Sequence, residues 1–385
     1  LIDEEHEPTA ASEPAVASEP TGGSEPTVGG GGAGASRHAE TLDGGEPRRG
    51  GARFDRRPNA GNANARSSNG GGRPGGGRRR KRDVPDLSGW IIVDKPTGMG
   101  STQVTNTIKR LTGGAKTGHA GTLDPLATGV LPVAVGAATK TVAHIVDASK
   151  GYRFRIRWGE RTDTDDADGQ VVETSPVRPD PAAIPGVLPA FVGDIEQVPP
   201  AYSAIKVAGE RAYDLARAGE VVVLAARTIT VYRLDYAGSP DADHADFTVE
   251  SGKGAYMRSL ARDIALALGT VGHIVQLRRT RVGPFDEARA IPLASIEALG
   301  HIDASWQGLL PVETALDDIP ALAITGAEAA GLRNGQALQL LRKSDLARIS
   351  GLPEGATVRA EADGRLVAIG RLEGGVVKPI RVIGI

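Results

Sequence analysis

The sequence predicts an α+β protein built on a mixed, largely antiparallel sheet, with a small β-rich domain at its C-terminal end. Three observations carry this. Strand-like and helix-like segments interleave with hairpins, without the regular strand–helix alternation of a doubly wound sheet. Tyr152–Trp158 alternates cleanly, with Tyr152, Phe154, Ile156 and Trp158 on one face and Arg153, Arg155 and Arg157 on the other, which is the period of a strand. From Ala321 onward the strands become short: Val358–Ala362, Leu366–Leu372 and Val377–Val382 are separated by Asp363-Gly364 and Gly374-Gly375. Turn-punctuated strands of this kind predict a small barrel of roughly 60 residues.

Taken in order, residues 1–87 form a low-complexity tail. It holds the loose repeats Ser12-Glu13-Pro14, Ser18-Glu19-Pro20 and Ser24-Glu25-Pro26, then Gly/Arg-rich sequence ending in Arg78-Arg79-Arg80-Lys81-Arg82. So little apolar side chain cannot offset the entropy of ordering, and the tail is expected to be disordered. Folded sequence starts near Leu87. Trp90–Val93 reads as a strand. Ser101 reads as the N-cap of a helix with Val104, Ile108 and Leu111 on one face. Val130–Val135 is a strand and Val142–Val146 belongs to a helix. Residues 176–200 are Pro-rich and predict a short helix and an extended connection. Glu210–Ala218 reads as a helix, and Arg227–Asp235 and Ala245–Ser251 as strands. Tyr256–Leu268 is a helix carrying Leu260, Ile264 and Leu268 at i, i+4 and i+8, with Gly269 as its stop. Ile274–Arg281 is strand-like, and Thr325–Leu332 is a short helix. The expected domains are the tail 1–87, a main domain 88–318 and a C-terminal domain 319–385.

The formal net charge of −2 conceals an asymmetry. Residues 1–46 hold ten Asp/Glu and one Arg, whereas residues 47–82 hold twelve Lys/Arg and one Asp. Local charge governs phosphate contacts, so the net value does not argue against a nucleic-acid partner. The chain has no cysteine, which excludes disulfides, thiolate nucleophiles and Cys-ligated zinc. Its seven histidines show no metal-ligand spacing. No apolar run approaches the roughly 20 residues that span a bilayer. The acidic start lacks the basic and apolar regions of a signal peptide. A cytoplasmic protein with no membrane partner and no metal is expected.

The most informative stretch is Gly118-His119-Ala120-Gly121-Thr122-Leu123-Asp124-Pro125-Leu126-Ala127-Thr128-Gly129-Val130-Leu131. It sets one carboxylate on constrained backbone at the mouth of a sheet. An Asp before Pro ordinarily starts a turn or caps a helix. Five further blocks stand around it in order: Val93-Asp94-Lys95-Pro96-Thr97-Gly98-Met99, Lys150-Gly151-Tyr152 through Gly159–Gly169, Val198-Pro199-Pro200-Ala201-Tyr202-Ser203-Ala204-Ile205-Lys206, Ser251–Leu260, and Leu277-Arg278-Arg279-Thr280-Arg281-Val282-Gly283. With all six in order, residues 88–285 resemble the TruB family, the tRNA pseudouridine-55 synthases. The C-terminal strands resemble the PUA-like RNA-binding domain that follows many of that family's catalytic domains.

The resemblance implies the pseudouridine synthase fold, no cofactor, a monomer, and the T-arm of tRNA as partner. The reaction cuts the N1–C1′ glycosidic bond of a uridine, turns the uracil and rejoins it through C5. Asp124 would be the catalytic carboxylate and Arg258 its bidentate partner, keeping it ionised and oriented. Tyr152 would stack on the uracil with its hydroxyl near the ribose, Tyr256 and Leu277 would pack around the base, and Lys95 with Pro96 would brace the loop from beneath. His119 would occupy the gap left by the flipped nucleotide. On general grounds alone, Arg258 reads as a solvated helix residue, Tyr152 as a core aromatic and His119 as a structural hydrogen-bonder.

Two decoys fall away. Thr164–Gly169 looks like part of a calcium loop, but with Gly169 at position six the first and twelfth positions are Thr164 and Ser175, neither a carboxylate. Gly29–Gly32 follows no strand and precedes no helix, so it is no phosphate loop. Arg153, Arg155 and Arg157 form either a solvated strand face or a phosphate-facing one. A tRNA chaperone on the same scaffold and a synthase of the guide-dependent kind are the competing functions.

Overall fold

A single apolar run explains why one half of the sheet is buried on both sides. In this computed structural model, which describes residues 87–203, 205–207, 210–211 and 224–383, Gly89–Lys95 is a strand. Ile91 and Val93 face one core, whereas Trp90 and Ile92 face another. Both faces are covered, so the sequence reads as continuous Trp-Ile-Ile-Val and not as an alternation. Thr128–Val135 behaves alike, with Leu131 and Val133 on the first side and Val130 and Ala134 on the second.

These strands belong to a ten-stranded sheet. Its main path runs Ile291–Pro292, Gly89–Lys95, Thr128–Val135, Gly272–Val282, Lys150–Trp158, His244–Ser251, Arg227–Asp241 and Gly193–Gln197. Thr117–His119 and Phe285–Asp286 pair at its margins. Only the pairs Gly89–Lys95 with Ile291–Pro292 and Thr128–Val135 with Gly272–Val282 are parallel. The expected mixed, largely antiparallel sheet is what the chain forms.

The first core lies between one sheet face and two helices. Ser101–Leu111 contributes Val104, Ile108 and Leu111, and Met257–Ala267 contributes Met257, Leu260, Ala261, Ile264 and Ala265. Each buried branched side chain of this size is worth roughly 1.5–3 kcal/mol. Gly269, at φ +72°, ends the second helix in the left-handed region open to glycine.

Three details depart from the expected elements. Gly100, not Ser101, is the N-cap of the first helix, and its N–H is met by the Gln103 side chain at 2.8 Å. Ser101 is drawn away by a stronger tertiary pairing: its Oγ donates to the Leu123 carbonyl at 3.0 Å and accepts the Leu123 N–H at 2.8 Å. The Pro-rich connection contains a true strand, Gly193–Gln197, because Arg227–Asp241 offers it an edge. Glu210–Arg211 pairs with Lys206–Val207 as a short hairpin, and the rest of the helix expected over Glu210–Ala218 lies outside the described residues. The tail expected to be disordered lies outside them too, save Leu87.

The C-terminal strands form a separate five-stranded sheet ordered Ala321–Ala323, Thr357–Ala362, Arg365–Glu373, Val376–Val382 and Leu338–Gln339. Helix Gly326–Arg333 covers it, opened by a capping box in which Thr325 and Glu328 satisfy each other's backbone N–H groups. Leu366 and Ile369 of this sheet, with Ile383 just past its Val376–Val382 strand, share a core with Trp90, Val130 and Phe285 of the main sheet and with Val312 of the short helix Val312–Leu316. The C-terminal sheet therefore packs on the back of the strands that carry the Asp124 loop.

Candidate active site

The Asp124 loop is held from three directions. Ser101 ties the Leu123 peptide, as described above. Beneath it, Lys95 is fully buried, and its Nζ donates to the carbonyls of Pro96 at 2.8 Å, Met99 at 2.5 Å and Pro125 at 3.2 Å. From the side, Arg279 donates to the carbonyls of Gly121 at 3.1 Å and Val130 at 2.8 Å. Anchors on both flanks of the carboxylate leave the loop one conformation.

Asp124 is paired with Arg258: Oδ2 lies 2.9 Å from Nη2. The Arg258 side chain is 6% exposed and that of Asp124 39%, so the cation is buried and the carboxylate faces open space. Both terminal nitrogens of Arg258 are engaged, whereas its Nε is buried without a hydrogen-bond partner among the described residues. Nη2 donates to the Tyr202 carbonyl and Nη1 to that of Thr164, both at 2.9 Å, and Asp166 Oδ2 lies 3.4 Å from Nη1. Asp166 Oδ1 in turn accepts from Thr164 Oγ1 at 2.6 Å and from the Asp168 backbone N–H at 3.1 Å. The acidic turn that looked like a calcium loop thus delivers a carboxylate to the buried guanidinium.

Asp124 and Arg258 line a cavity of about 400 Å³ together with Tyr152, Tyr256, Leu277, Lys150 and Arg279. That volume suits a small ligand or a single nucleobase with its sugar. Tyr152 and Leu277 come from adjacent strands, and Tyr256 stands at the N-cap of the Arg258 helix. The Gln197 side chain fixes Tyr256 by two hydrogen bonds to its backbone: Oε1 accepts the Tyr256 N–H at 2.8 Å, and Nε2 donates to its carbonyl at 3.1 Å. The Arg227 guanidinium lies over the Tyr256 ring, 5.6 Å from its centre.

Five of the residues singled out from sequence therefore meet at one cavity: Asp124, Arg258, Tyr152, Tyr256 and Leu277. Lys95 sits under the loop as a brace. His119 is not among the residues lining the cavity; it ends the strand Thr117–His119, half-buried, with Nδ1 buried and without a hydrogen-bond partner. Burial, and then the Arg279 charge, hold its imidazole below the usual range, which favours the neutral ring.

The arginine face of Lys150–Trp158 turns away from this chemistry. Arg153 pairs with Glu287 at 2.8 Å, Arg155 grips Asp246 at 2.6 and 2.7 Å, and Arg157 meets Glu160 at 2.9 Å. Each of these arginines meets a carboxylate, Arg155 across the paired strand, Arg157 three residues on, and Arg153 at a glutamate shared with Arg278, so this face is laced with ion pairs and is not a bare phosphate surface.

Two buried basic residues on the cavity wall were given no role in the sequence reading. Lys150 is buried, with Nζ donating to the carbonyls of Val146 and Ala148 at 2.6 and 2.5 Å. Arg279 was passed over as one of three arginines in Arg278-Arg279-Thr280-Arg281. A signal was present: strand alternation puts Arg279 on the same face as Leu277, an arginine among core residues.

Lys95 yields a pH-dependent prediction. Burial pushes its ammonium down to about 8, against the opposing pull of Asp124 and with a smaller push from Arg279. Below pH 8 both folded and unfolded chains carry the proton. Between pH 8 and the unfolded value of 10.5, the unfolded chain holds more protons than the folded one, so this group's contribution to stability rises with pH. Relative to Lys95→Met, the unaltered chain should gain in urea midpoint between pH 7 and pH 9.5. A gap that stays constant or narrows would show that Lys95 is not titrating in this window.

The fold has counterparts among solved structures. One is described as an H/ACA RNP bound to a substrate RNA containing 2′-deoxyuridine; it has a TM-score of 0.58 and 26% identity, over 77% of this chain and 85% of that one. Another, a Cbf5-Nop10-Gar1 complex, matches at TM-score 0.58 and 28% identity with the same coverage. The class is the pseudouridine synthase fold. The sequence profile of the TruB family pseudouridylate synthase N-terminal domain matches residues 109–257, and that of the tRNA pseudouridylate synthase B C-terminal domain matches residues 258–317. A tRNA pseudouridine synthase B of Rhodospirillum rubrum is 50% identical over 306 residues, which is 80% of this chain and 99% of the relative. One of Gluconacetobacter diazotrophicus is 56% identical over 306 residues, 79% of this chain and all of the relative. The chain belongs to the TruB family of pseudouridylate synthases.

Proposed function

We propose that this chain converts the uridine at position 55, in the T-loop of tRNA, to pseudouridine, with Asp124 as the catalytic carboxylate. As a TruB-family enzyme it is an isomerase that turns uridine into pseudouridine in tRNA. The observation that carries the finer reading is the Asp124–Arg258 pair, 2.9 Å apart, on the wall of a cavity also lined by Tyr152 and Leu277. The N1–C1′ bond breaks and a C5–C1′ bond forms. The proton on C5 departs and N1 regains one, so the product is an isomer of the substrate. Nothing in that balance calls for an oxidant or a cofactor.

In this reading the target nucleotide leaves its stack and enters the cavity, at a cost of a few kcal/mol. Stacking on the Tyr152 ring, worth about 1–3 kcal/mol, offsets part of it. Leu277 and Tyr256 enclose the base, and His119 fills the gap left in the T-loop. The C-terminal sheet serves as a PUA-like RNA contact. In this reading the protein acts on tRNA as a monomer in the cytoplasm.

Purified protein and an unmodified tRNA transcript, with no other RNA or protein, should yield pseudouridine at position 55. Modification elsewhere in the tRNA would overturn the site assignment. Modification only when a guide RNA or partner proteins are added would favour the guide-dependent mode.

The basic half of the tail adds a separate expectation. Arg48–Arg82 releases counterions from phosphates, with a salt slope of about −0.7 to −0.9 per phosphate neutralised. Removing residues 1–87 should flatten the salt dependence of tRNA affinity and leave the modified position unchanged. Equal slopes with and without the tail would reduce it to a solubilising extension.

A further inference from the structure

Arg279 lies on the strand that joins the two halves of the site. In the sheet it is paired on one side with Gly129, at the end of the Asp124 loop, and on the other with Tyr152. It is 1% exposed. Its Nε donates to the Val130 carbonyl at 2.8 Å and Nη2 to that of Gly121 at 3.1 Å, while Nη1 reaches Thr122 at 3.5 Å. These carbonyls bracket Asp124, two before it and one after. The loop is shaped for the approach. Gly121 has φ +98°, and a Cβ there would stand 3.2 Å from Arg279 Nη1. Gly129 has φ +96°, and a Cβ there would collide with the Arg279 backbone carbonyl.

Among the described residues no carboxylate pairs with this guanidinium; Tyr152, its partner in strand register, is the titratable side chain beside it that favours its charge. A buried charge without a counter-ion acts on everything near it. After burial itself, Arg279 is a cause that lowers His119 and Lys150, and it also lowers Lys95. A guanidinium has donors only. A hydroxyl beside it can meet it only as an acceptor, which would turn the Tyr152 proton elsewhere. With Tyr152 lining the cavity, the open direction is toward the bound nucleotide.

We propose that Arg279 is the positioning residue that couples the two halves of the site, clamping the Asp124 loop through three carbonyls and turning the Tyr152 hydroxyl proton toward the substrate. This rests on the proposed function, in which Tyr152 lies against the reacting uridine. In this arrangement Arg279 acts through Asp124 and Tyr152.

The test is a double-mutant cycle in the full-length chain on unmodified tRNA transcript. Arg279→Lys keeps the charge and loses the fork. Arg279→Gln loses the charge and keeps one amide donor. Each should lower kcat by about ten-fold or more while KM and tRNA affinity change by less than about three-fold, a split expected when only the chemical step is touched. In a Tyr152→Phe background the same substitutions should cost markedly less, a coupling of about ten-fold in kcat. Effects that multiply independently would overturn the link to Tyr152 and leave Arg279 as a strut. A second measurement leaves Arg279 in place. Tyr152→Phe orphans a buried N–H of a charged group, so its thermal midpoint should fall by several degrees, whereas Tyr232→Phe, at a tyrosine 56% exposed, should not move it. Equal midpoints would overturn the proposal even if the Arg279 variants do not fold. Absence of pseudouridine with the unaltered chain would instead sink the proposed function, so the two failures are distinguishable.

Discussion

Asp124→Asn should abolish turnover, by at least about a thousand-fold, while tRNA binding stays within a few-fold of the unaltered protein. The amide has nearly the carboxylate's shape and its oxygen can still accept from Arg258 Nη2, now 2.9 Å from Oδ2, so the loop should hold its place. The anchors from Lys95, Ser101 and Arg279 all act on backbone or carbonyls around Asp124 and not on its side chain. What is lost is the negative charge at the reacting nucleotide. Release of tritium from C5-labelled uridine in tRNA reads the reaction directly, because that hydrogen leaves when C5 joins C1′. Turnover within ten-fold of the unaltered chain would remove Asp124 from the chemistry.

Arg258→Lys should be nearly as damaging to kcat, on the order of a hundred-fold or more, because an ammonium cannot replace a planar fork. The guanidinium meets Asp124 and the Tyr202 carbonyl through Nη2, and the Thr164 carbonyl and Asp166 through Nη1. A lysine reaching the same point can serve only part of that set. The Asp166 carboxylate, 7% exposed, would then be buried with its pairing weakened. Breaking one partner of a buried pair costs about 3–5 kcal/mol when the charge is lost, and less when it is merely misplaced. Melting should therefore shift downward together with kcat. A variant with near-normal kcat would show that Arg258 supplies only a positive charge and no geometry.

The strands and helices that the sequence foretold are those whose pattern is local. Tyr152–Trp158 shows its faces by alternation, and the structure keeps them: Phe154, Ile156 and Trp158 in the core, the arginines outside. The helix at Met257–Ala267 announced itself by Leu260 and Ile264 and by Gly269. The strand at Gly193–Gln197 did not, because an edge strand half in solvent has no strong pattern of its own and exists by pairing with Arg227–Val231. Ser101 misled for a related reason. Local chemistry made it a cap, but a buried peptide at Leu123, distant along the chain, needed both partners that its hydroxyl offers.

The site divides in the same way. Sequence alone determined that a TruB-like set of motifs was present, that Asp124 sat on constrained backbone before an apolar strand, and that Arg258 opened a helix. Those features depend on residues near one another in the chain. Tertiary structure decided which cations serve the site. Arg153, Arg155 and Arg157 stand beside Tyr152 in sequence yet are each neutralised by carboxylates on neighbouring strands or turns. Arg279, set apart from Arg278 by its spacing from Leu277 but not from Arg281, is the one turned inward, against Tyr152 and the Asp124 loop. Which arginine finds a carboxylate and which is left to act on the site depends on strand register and on what lies across the sheet. Those are properties of pairing over long sequence distances, and no local pattern encodes them.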